Sequence, residues 1–281
     1  MPVREGAVDS GGVAIHYEDW GGDGPPLVLI HATGFLAALW RPIAQRLSAR
    51  FRVVAYDQRG HGDSGKPDAG WDFETFAADL QRLIEGLGLE RPLTAGHSSG
   101  GTTIVVHAAR HPGVISRAVL IEPILPRPDW YTSPPEGRTA NSLAEGARRR
   151  RALWPSAEEL FDSYRSRSPF DTWREDVLRL YVEQGSRRRA DGQVELKCPP
   201  DLEARFFEAV SGMDFWPLLP QVQCPALVLW GGESHLGTRL AQQVEEALPQ
   251  ARTAVVPGTT HFLPQERPDE VARLIEEFVS D

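Results

Sequence analysis

A serine flanked by glycines stands where a strand pattern passes into a helix pattern. The stretch "LTAGHSSGGTT" contains GHSSG at positions 96–100, an instance of GxSxG. A serine on so sharp a turn needs small neighbours, because strand and helix nearly touch there, and the turn lifts the hydroxyl above the edge of the sheet. Ser98 is therefore a candidate nucleophile, and the backbone N–H of Ser99 is a candidate donor to an oxyanion.

A serine nucleophile needs a base, and His261 is the best-placed histidine. It lies in "PGTTHFLPQERPDEV", just past the last strand pattern. Loops that follow parallel strands gather at the carboxyl edge of a sheet, where they face one another. His261 could there take the hydroxyl proton of Ser98 during attack on a carbonyl carbon.

Short apolar runs alternate with helical patterns along most of the chain, which is typical of βαβ units. The fold class is therefore α/β, with a mostly parallel central sheet flanked by helices. We predict strands at 13–19, 26–32, 51–57, 92–98, 116–123, 226–231 and 251–258. We predict helices at 73–88, 100–111, 236–248 and 268–280. From about 124 to 216 no convincing strand pattern appears, and we predict a helical insertion.

Together these motifs resemble the α/β-hydrolase fold family over nearly the whole chain apart from the insertion. "LVLIHATGF" is similar to the family's strand and HG loop, with Ala32 where glycine is usual. "YDQRGHGDSGKP" is similar to the loop after the next strand, and "PGTTHFLPQERPDEV" to the segment with the catalytic histidine. The resemblance implies a core domain of residues 1–123 and 217–281 and a helical cap of residues 124–216.

The same resemblance assigns roles to the residues. Ser98 becomes the nucleophile and His261 the general base. The backbone N–H groups of Ser99 and of either Ala32 or Thr33 become the oxyanion donors, and the sequence does not choose between the latter two.

The third residue of the family's catalytic triad is an acid, and this sequence offers two candidates for it. In the family it usually sits in the turn after the strand that here reads "ALVLWGG", but those positions hold Ser234 and His235. Glu233 is the carboxylate of that turn, one or two residues early. Glu122 ends the strand after the nucleophile helix, and a right-handed crossover brings it to the same edge as Ser98. Some family members, including a subset of haloalkane dehalogenases and certain lactone hydrolases, carry their acid there. We favour Glu122, with Glu233 as the alternative.

Serine at position 98 restricts the chemistry. Dehalogenases and epoxide hydrolases of this family need an aspartate there, so those activities are disfavoured. A Ser-His-acid set performs acyl transfer, and we expect a carboxylesterase-like hydrolase without a cofactor. Lactones, thioesters and carbon-carbon bonds beside a carbonyl remain alternatives. A lyase or cofactor-free oxidative enzyme on the same triad, and a ligand receptor on a hydrolase scaffold, are the alternatives from other classes.

The insertion is rich in aromatic residues, some of which could line a pocket. The pocket candidates are His31, His97, Trp130 and Trp216. The arginine runs at 148–151 and 187–189 could steer an anionic substrate, although such runs are more often solvated helix faces.

The net charge of the chain argues against some classes of binding partner. The net charge of −9 disfavours nucleic acid and anionic membrane surfaces. No run reaches the roughly 18 apolar residues of a membrane span and the first residues lack a signal-peptide pattern, so we predict a cytoplasmic protein.

Cys198 and Cys224 match no metal or disulfide spacing. His107 and His111 have the spacing of a zinc pair but no third ligand, so we expect no metal. The expected partner is a small molecule with a carbonyl group.

Overall fold

The computed structural model describes residues 3–126, 142–211 and 213–280. In chain order the strands of these residues are β1 (Arg4–Ser10), β2 (Val13–Gly21), β3 (Pro26–Ile30), β4 (Arg52–Tyr56), β5 (Leu93–His97), β6 (Arg117–Ile121), β7 (Leu153–Trp154), β8 (Ser186–Arg188), β9 (Val194–Leu196), β10 (Ala226–Gly231) and β11 (Ala251–Val256).

Eight of the strands form one sheet, in the order β1-β2-β4-β3-β5-β6-β10-β11. The strands from β4 to β11 in this order are parallel, while β1 and β2 run antiparallel at one edge. The predicted mostly parallel sheet is confirmed. Its parallel strands are nearly continuous apolar runs because helices cover both faces.

The helices of the described residues are α1 (Arg41–Leu47), α2 (Phe73–Gly86), α3 (Ser99–Arg110), α4 (Ser142–Arg148), α5 (Ala157–Arg165), α6 (Glu175–Gly185), α7 (Pro200–Ser211), α8 (Thr238–Ala247), α9 (Leu263–Glu266) and α10 (Pro268–Ser280). Side chains alternate between the two faces of the sheet. Leu27 and Leu29 of β3 join the core with α1 and α10, whereas Val28 and Ile30 join the core with α2, α3 and α8. The central sheet is therefore covered by an apolar core on each face.

Two parts of the sheet structure escaped prediction. Strand β1 was not predicted, because "REGAVDS" is mostly exposed and lacks an apolar face. The expectation that residues 124–216 contain no strand was wrong, since β7, β9 and β8 form a small antiparallel sheet there. Strands of two or three residues are too short for a periodic pattern to reveal.

A third apolar cluster joins the loop after β3 to the segment between β6 and β10. Ala32, Phe35 and Leu36 of the loop pack against Trp173 and Tyr181, among others. The loop thus shares its core with α5, α6 and the small sheet rather than with the central layers. Among the described residues, no helix is long and apolar enough to cross a membrane.

Candidate active site

Ser98 occupies a strained turn between β5 and α3. Its backbone has φ 56° and ψ −117°, a region that side-chain-bearing residues rarely adopt. Its N–H donates to the carbonyl of Ile121 at 2.8 Å, which ties the turn to the end of the neighbouring strand β6. Strain of this kind persists only where the surrounding structure fixes it, and it is concentrated at functional sites.

The two glycines of GxSxG are required by close backbone contacts. A Cβ on Gly96 would lie 2.5 Å from the carbonyl carbon of Gly100, and a Cβ on Gly100 would lie 2.8 Å from the carbonyl oxygen of His31. Both contacts are with backbone, which cannot move aside. Strand, helix and the loop after β3 therefore meet at this turn, as the motif predicts.

The remaining candidate residues follow four other parallel strands at the same edge of the sheet. Glu122 comes directly after β6, and the turn of residues 232–237 follows β10. His261 lies between β11 and α9, and the loop of residues 31–36 follows β3. Parallel pairing of β3, β5, β6, β10 and β11 brings these loops together around Ser98.

Glu122 contacts His261 directly. Its Oε2 lies 2.7 Å from His261 Nδ1, and the carboxylate is completely buried. Because a carboxylate can only accept, Nδ1 carries the proton and Nε2 remains an acceptor. The N–H of Gly231 donates to Oε1 at 2.7 Å, and the hydroxyl of Ser234 donates to Oε2 at 2.7 Å. The buried charge of Glu122 is thus compensated by three donors.

Glu233, the alternative candidate for the acid, lies in the turn after β10. Its side chain is exposed, while its backbone N–H donates to Thr259. Ser234, at a position where relatives usually carry the acid, instead serves Glu122 as a donor. His235 is exposed and its ring centroid lies 5.5 Å from that of His261. The sequence shows only that position 234 lacks a carboxylate, and the contact between Ser234 and Glu122 was not predicted.

Two pocket candidates are buried inside the loops. Both ring nitrogens of His31 are engaged, Nε2 by the N–H of Gln58 at 2.9 Å and Nδ1 by the carbonyl of Ala32 at 2.7 Å. His97 is also completely buried, and its Nε2 donates to the carbonyl of His261 at 2.8 Å. Both rings therefore bind backbone groups of the loops around the site, and their role as pocket residues stays a prediction.

The other two pocket candidates are tryptophans. Trp216 begins a 3-10 helix (Trp216–Gln221) and is partly buried against the core cluster that contains α3. Trp130 lies outside the described residues.

The candidate oxyanion donors lie on both sides of Ser98. The N–H of Ser99 is at the first position of α3, where a helix supplies no partner. In the opposite loop the N–H of Gly34 donates to His61 at 2.9 Å, and that of Phe35 donates to the carbonyl of Ala32 at 3.1 Å. These bonds occupy the later N–H groups of the loop, so Ala32 and Thr33 remain its two candidates.

Buried histidines under this loop make the fold sensitive to acid. Burial lowers the pKa of His61 to about 3, and it also lowers the pKa of His31. Unfolding returns each pKa to about 6.5, so the unfolded chain binds more protons than the folded one between about pH 6.5 and pH 3. The free energy of unfolding should fall as the pH drops through this window.

Urea unfolding at a series of pH values measures this effect. The His61→Gln variant, whose amide can still accept from Gly34, should reduce the slope by about 1.4 kcal/mol per pH unit between about pH 5.5 and pH 4. An unchanged slope would contradict the assignment of a neutral buried His61.

Comparison with known proteins decides the family. The profile described as "Alpha/beta hydrolase family" matches residues 27–274. The chain belongs to the α/β hydrolase family. The resemblance inferred from the motifs is confirmed, and so is the fold.

The similarity to named relatives covers nearly the whole chain. A 2-(acetamidomethylene)succinate hydrolase from Mesorhizobium japonicum is 27% identical, over 97% of this chain and 94% of that protein. A fluoroacetate dehalogenase from a Burkholderia species is 30% identical, over 98% of this chain and 93% of that protein. The crystal structure of an E-2-(acetamidomethylene)succinate hydrolase superposes with a TM-score of 0.88, covering all of both chains at 25% identity.

The arginine runs of this α/β hydrolase are mostly paired. Arg148 lies 2.6 Å from Glu208, and Arg187 lies 2.8 Å from Glu195 on the small sheet. The expectation of solvated helix faces fails for Arg150, whose guanidinium reaches inward to Glu203 and two tyrosine hydroxyls. A run of like charges gives no signal for which member points inward.

One cluster in this α/β hydrolase has side chains of the types that bind metal ions. Among the described residues, His16, Asp57 and Asp63 could approach one ion. The oxygens of Asp57 already accept from His16 and from the N–H groups of Ala37 and Asp63, so the group is a loop-fixing network. His107 Nε2 lies 2.8 Å from the side-chain oxygen of Gln81 rather than beside a third ligand.

Proposed function

We propose that this α/β hydrolase is a serine hydrolase that uses Ser98, His261 and Glu122 to cleave a carboxylic ester. The observation that carries the proposal is the buried Glu122–His261 contact at the same sheet edge as the strained turn of Ser98. A structural salt bridge would not need a serine turn beside it. An aspartate nucleophile, which dehalogenation requires, is absent from position 98.

The proposed mechanism assigns one step to each of these groups. His261 Nε2 accepts the proton of the Ser98 hydroxyl while Oγ attacks the carbonyl carbon. The negative oxygen of the tetrahedral intermediate binds the N–H of Ser99 and that of Ala32 or Thr33. His261 then returns the proton to the departing alcohol, which leaves an acyl group on Ser98. Water, deprotonated by the same histidine, releases the acid and regenerates the serine.

We also propose that residues 124–216 form a cap over this site, on a core of residues 1–123 and 217–281. The aromatic side chains of α5 and α6 pack on the loop after β3 rather than on the central sheet. A substrate that reaches Ser98 must therefore pass beside this segment.

A second candidate reaction is hydrolysis of 2-(acetamidomethylene)succinate. It is supported by the end-to-end match to two proteins of that name, one in sequence and one in structure. The same triad would form the acyl-enzyme with either substrate. Lactones, thioesters and carbon-carbon bonds beside a carbonyl use the same first step and belong in the same substrate panel.

The experiment that tests the proposal is labelling with a fluorophosphonate, followed by intact-mass measurement. The wild type should gain one phosphonyl group with loss of fluoride, and p-nitrophenyl acetate should be hydrolysed. Ser98→Ala should show neither. A folded wild type that is not labelled and hydrolyses nothing would contradict the hydrolase proposal and favour a ligand receptor on this scaffold. Labelling that persists in Ser98→Ala would assign the nucleophile to another residue.

A further inference from the structure

The backbone of Gly34 is held at both its N–H and its carbonyl group. Its N–H donates to His61 Nε2 at 2.9 Å, and its carbonyl accepts the hydroxyl of Tyr181 at 2.9 Å. Gly34 directly follows Ala32 and Thr33, the two candidate oxyanion donors of this loop. His61 belongs to the loop after β4, whereas Tyr181 lies on α6. A residue of the proposed cap therefore binds the backbone of the proposed oxyanion loop.

Tyr181 is in turn oriented by a charged group. Arg150 Nη2 donates to the hydroxyl oxygen of Tyr181 at 3.1 Å and to that of Tyr164 at 2.9 Å. Burial raises the pKa of the Tyr181 phenol above its usual range, so the hydroxyl keeps its proton. With its oxygen accepting from Arg150, the O–H is directed to the carbonyl of Gly34, and each bond of this chain polarises the next.

The charge of Arg150 is balanced within the same cluster. Its Nη1 contacts Glu203, whose side chain is buried. Glu203 also closes the space beside Gly34, since a Cβ there would lie 2.6 Å from Oε1. Burying an ion pair costs desolvation energy and is weak evidence for stability alone. The buried Arg150–Glu203 pair is explained if it holds Tyr181 and Gly34 in place.

We propose that Tyr181, oriented by Arg150, is a positioning residue for the oxyanion hole. The inference rests on the proposed function, because it assigns a purpose to the donors of Ala32 and Thr33. An oxyanion donor is effective only when it is fixed at the position that the negative oxygen will occupy. Tyr181 fixes the Gly34–Phe35 peptide, which begins at the residue directly after Thr33. This restricts rotation of the backbone that carries the donors, so loss of the contact should lower kcat and leave substrate binding nearly unchanged.

The test compares Tyr181→Phe with Tyr164→Phe. Both variants remove one hydroxyl that Arg150 binds, but only the first removes the contact with Gly34. On p-nitrophenyl acetate, Tyr181→Phe should lower kcat roughly tenfold with KM changed less than about twofold. Tyr164→Phe should change both constants less than about twofold. Hydrogen exchange of the amides in residues 31–36 should become faster in Tyr181→Phe only.

Each outcome bears on the inference. Equal losses of kcat in the two variants, a rise of KM alone, or unchanged exchange in residues 31–36 would overturn it. A wild type without turnover or fluorophosphonate labelling would refute the proposed function instead. In that case the exchange comparison would still show whether Tyr181 fixes the loop.

Discussion

Replacing Glu122 with glutamine should lower kcat for an activated ester about ten-thousand-fold. The carboxylate binds Nδ1–H of His261 and stabilises the positive ring that forms when His261 takes the serine proton. A glutamine amide carries no charge, and its NH2 group would face a donor at either position: Gly231 N–H in place of Oε1, or Ser234 and His261 in place of Oε2. Glu233→Gln is the matched control, because it makes the same change in an exposed side chain, and it should alter kcat only a few-fold.

The measurement is kcat at saturating p-nitrophenyl acetate, with thermal unfolding to show that each variant is folded. A larger loss in Glu233→Gln than in Glu122→Gln would refute the assignment of the acid. Adding Ser234→Asp to Glu122→Gln gives a further control. The hydroxyl of Ser234 lies 2.7 Å from the Glu122 oxygen that His261 binds. A carboxylate introduced at position 234 should therefore restore part of the lost turnover.

With Glu122 as the acid, the turn after β10 should carry a neutral residue at position 234. A carboxylate at position 234 would lie beside that of Glu122, and two buried negative charges at this distance would repel. With serine there, the turn supplies a hydroxyl and the end of β10 supplies the N–H of Gly231 to one carboxylate.

Most of the architecture around the site could be predicted from local sequence. Short apolar runs predicted the parallel strands, and Gly96 and Gly100 predicted the sharp turn of Ser98. Glu122 could be proposed because parallel strands bring their carboxyl ends together, and because the resemblance to some family members also favours an acid at the end of this strand.

Contacts between distant side chains could not be predicted in this way. Arg150 looked like one member of a solvated run, and nothing local shows that Tyr181 reaches the carbonyl of Gly34. The local sequence also does not show the partners of His31 and His97, the two buried pocket candidates. His31 Nε2 accepts from the N–H of Gln58, and His97 Nε2 donates to the carbonyl of His261.

The strained backbone of Ser98 predicts a trade between activity and stability. Ser98→Gly and Ser98→Ala both remove the nucleophile and should lower kcat about a million-fold. They differ in the backbone, because alanine retains the unfavourable φ of 56° whereas glycine adopts it without a steric penalty.

Relief of this strain is worth about 1–3 kcal/mol, against a loss of about 0.5–1 kcal/mol from the greater freedom of glycine in the unfolded chain. Ser98→Gly should therefore unfold at a higher urea concentration than Ser98→Ala, by about 1 kcal/mol in the free energy of unfolding. A glycine variant that is less stable than Ser98→Ala by about 0.5–1 kcal/mol would show that the turn is held without strain. A more stable glycine variant would mean that the fold sacrifices stability to project the hydroxyl of Ser98 above the sheet.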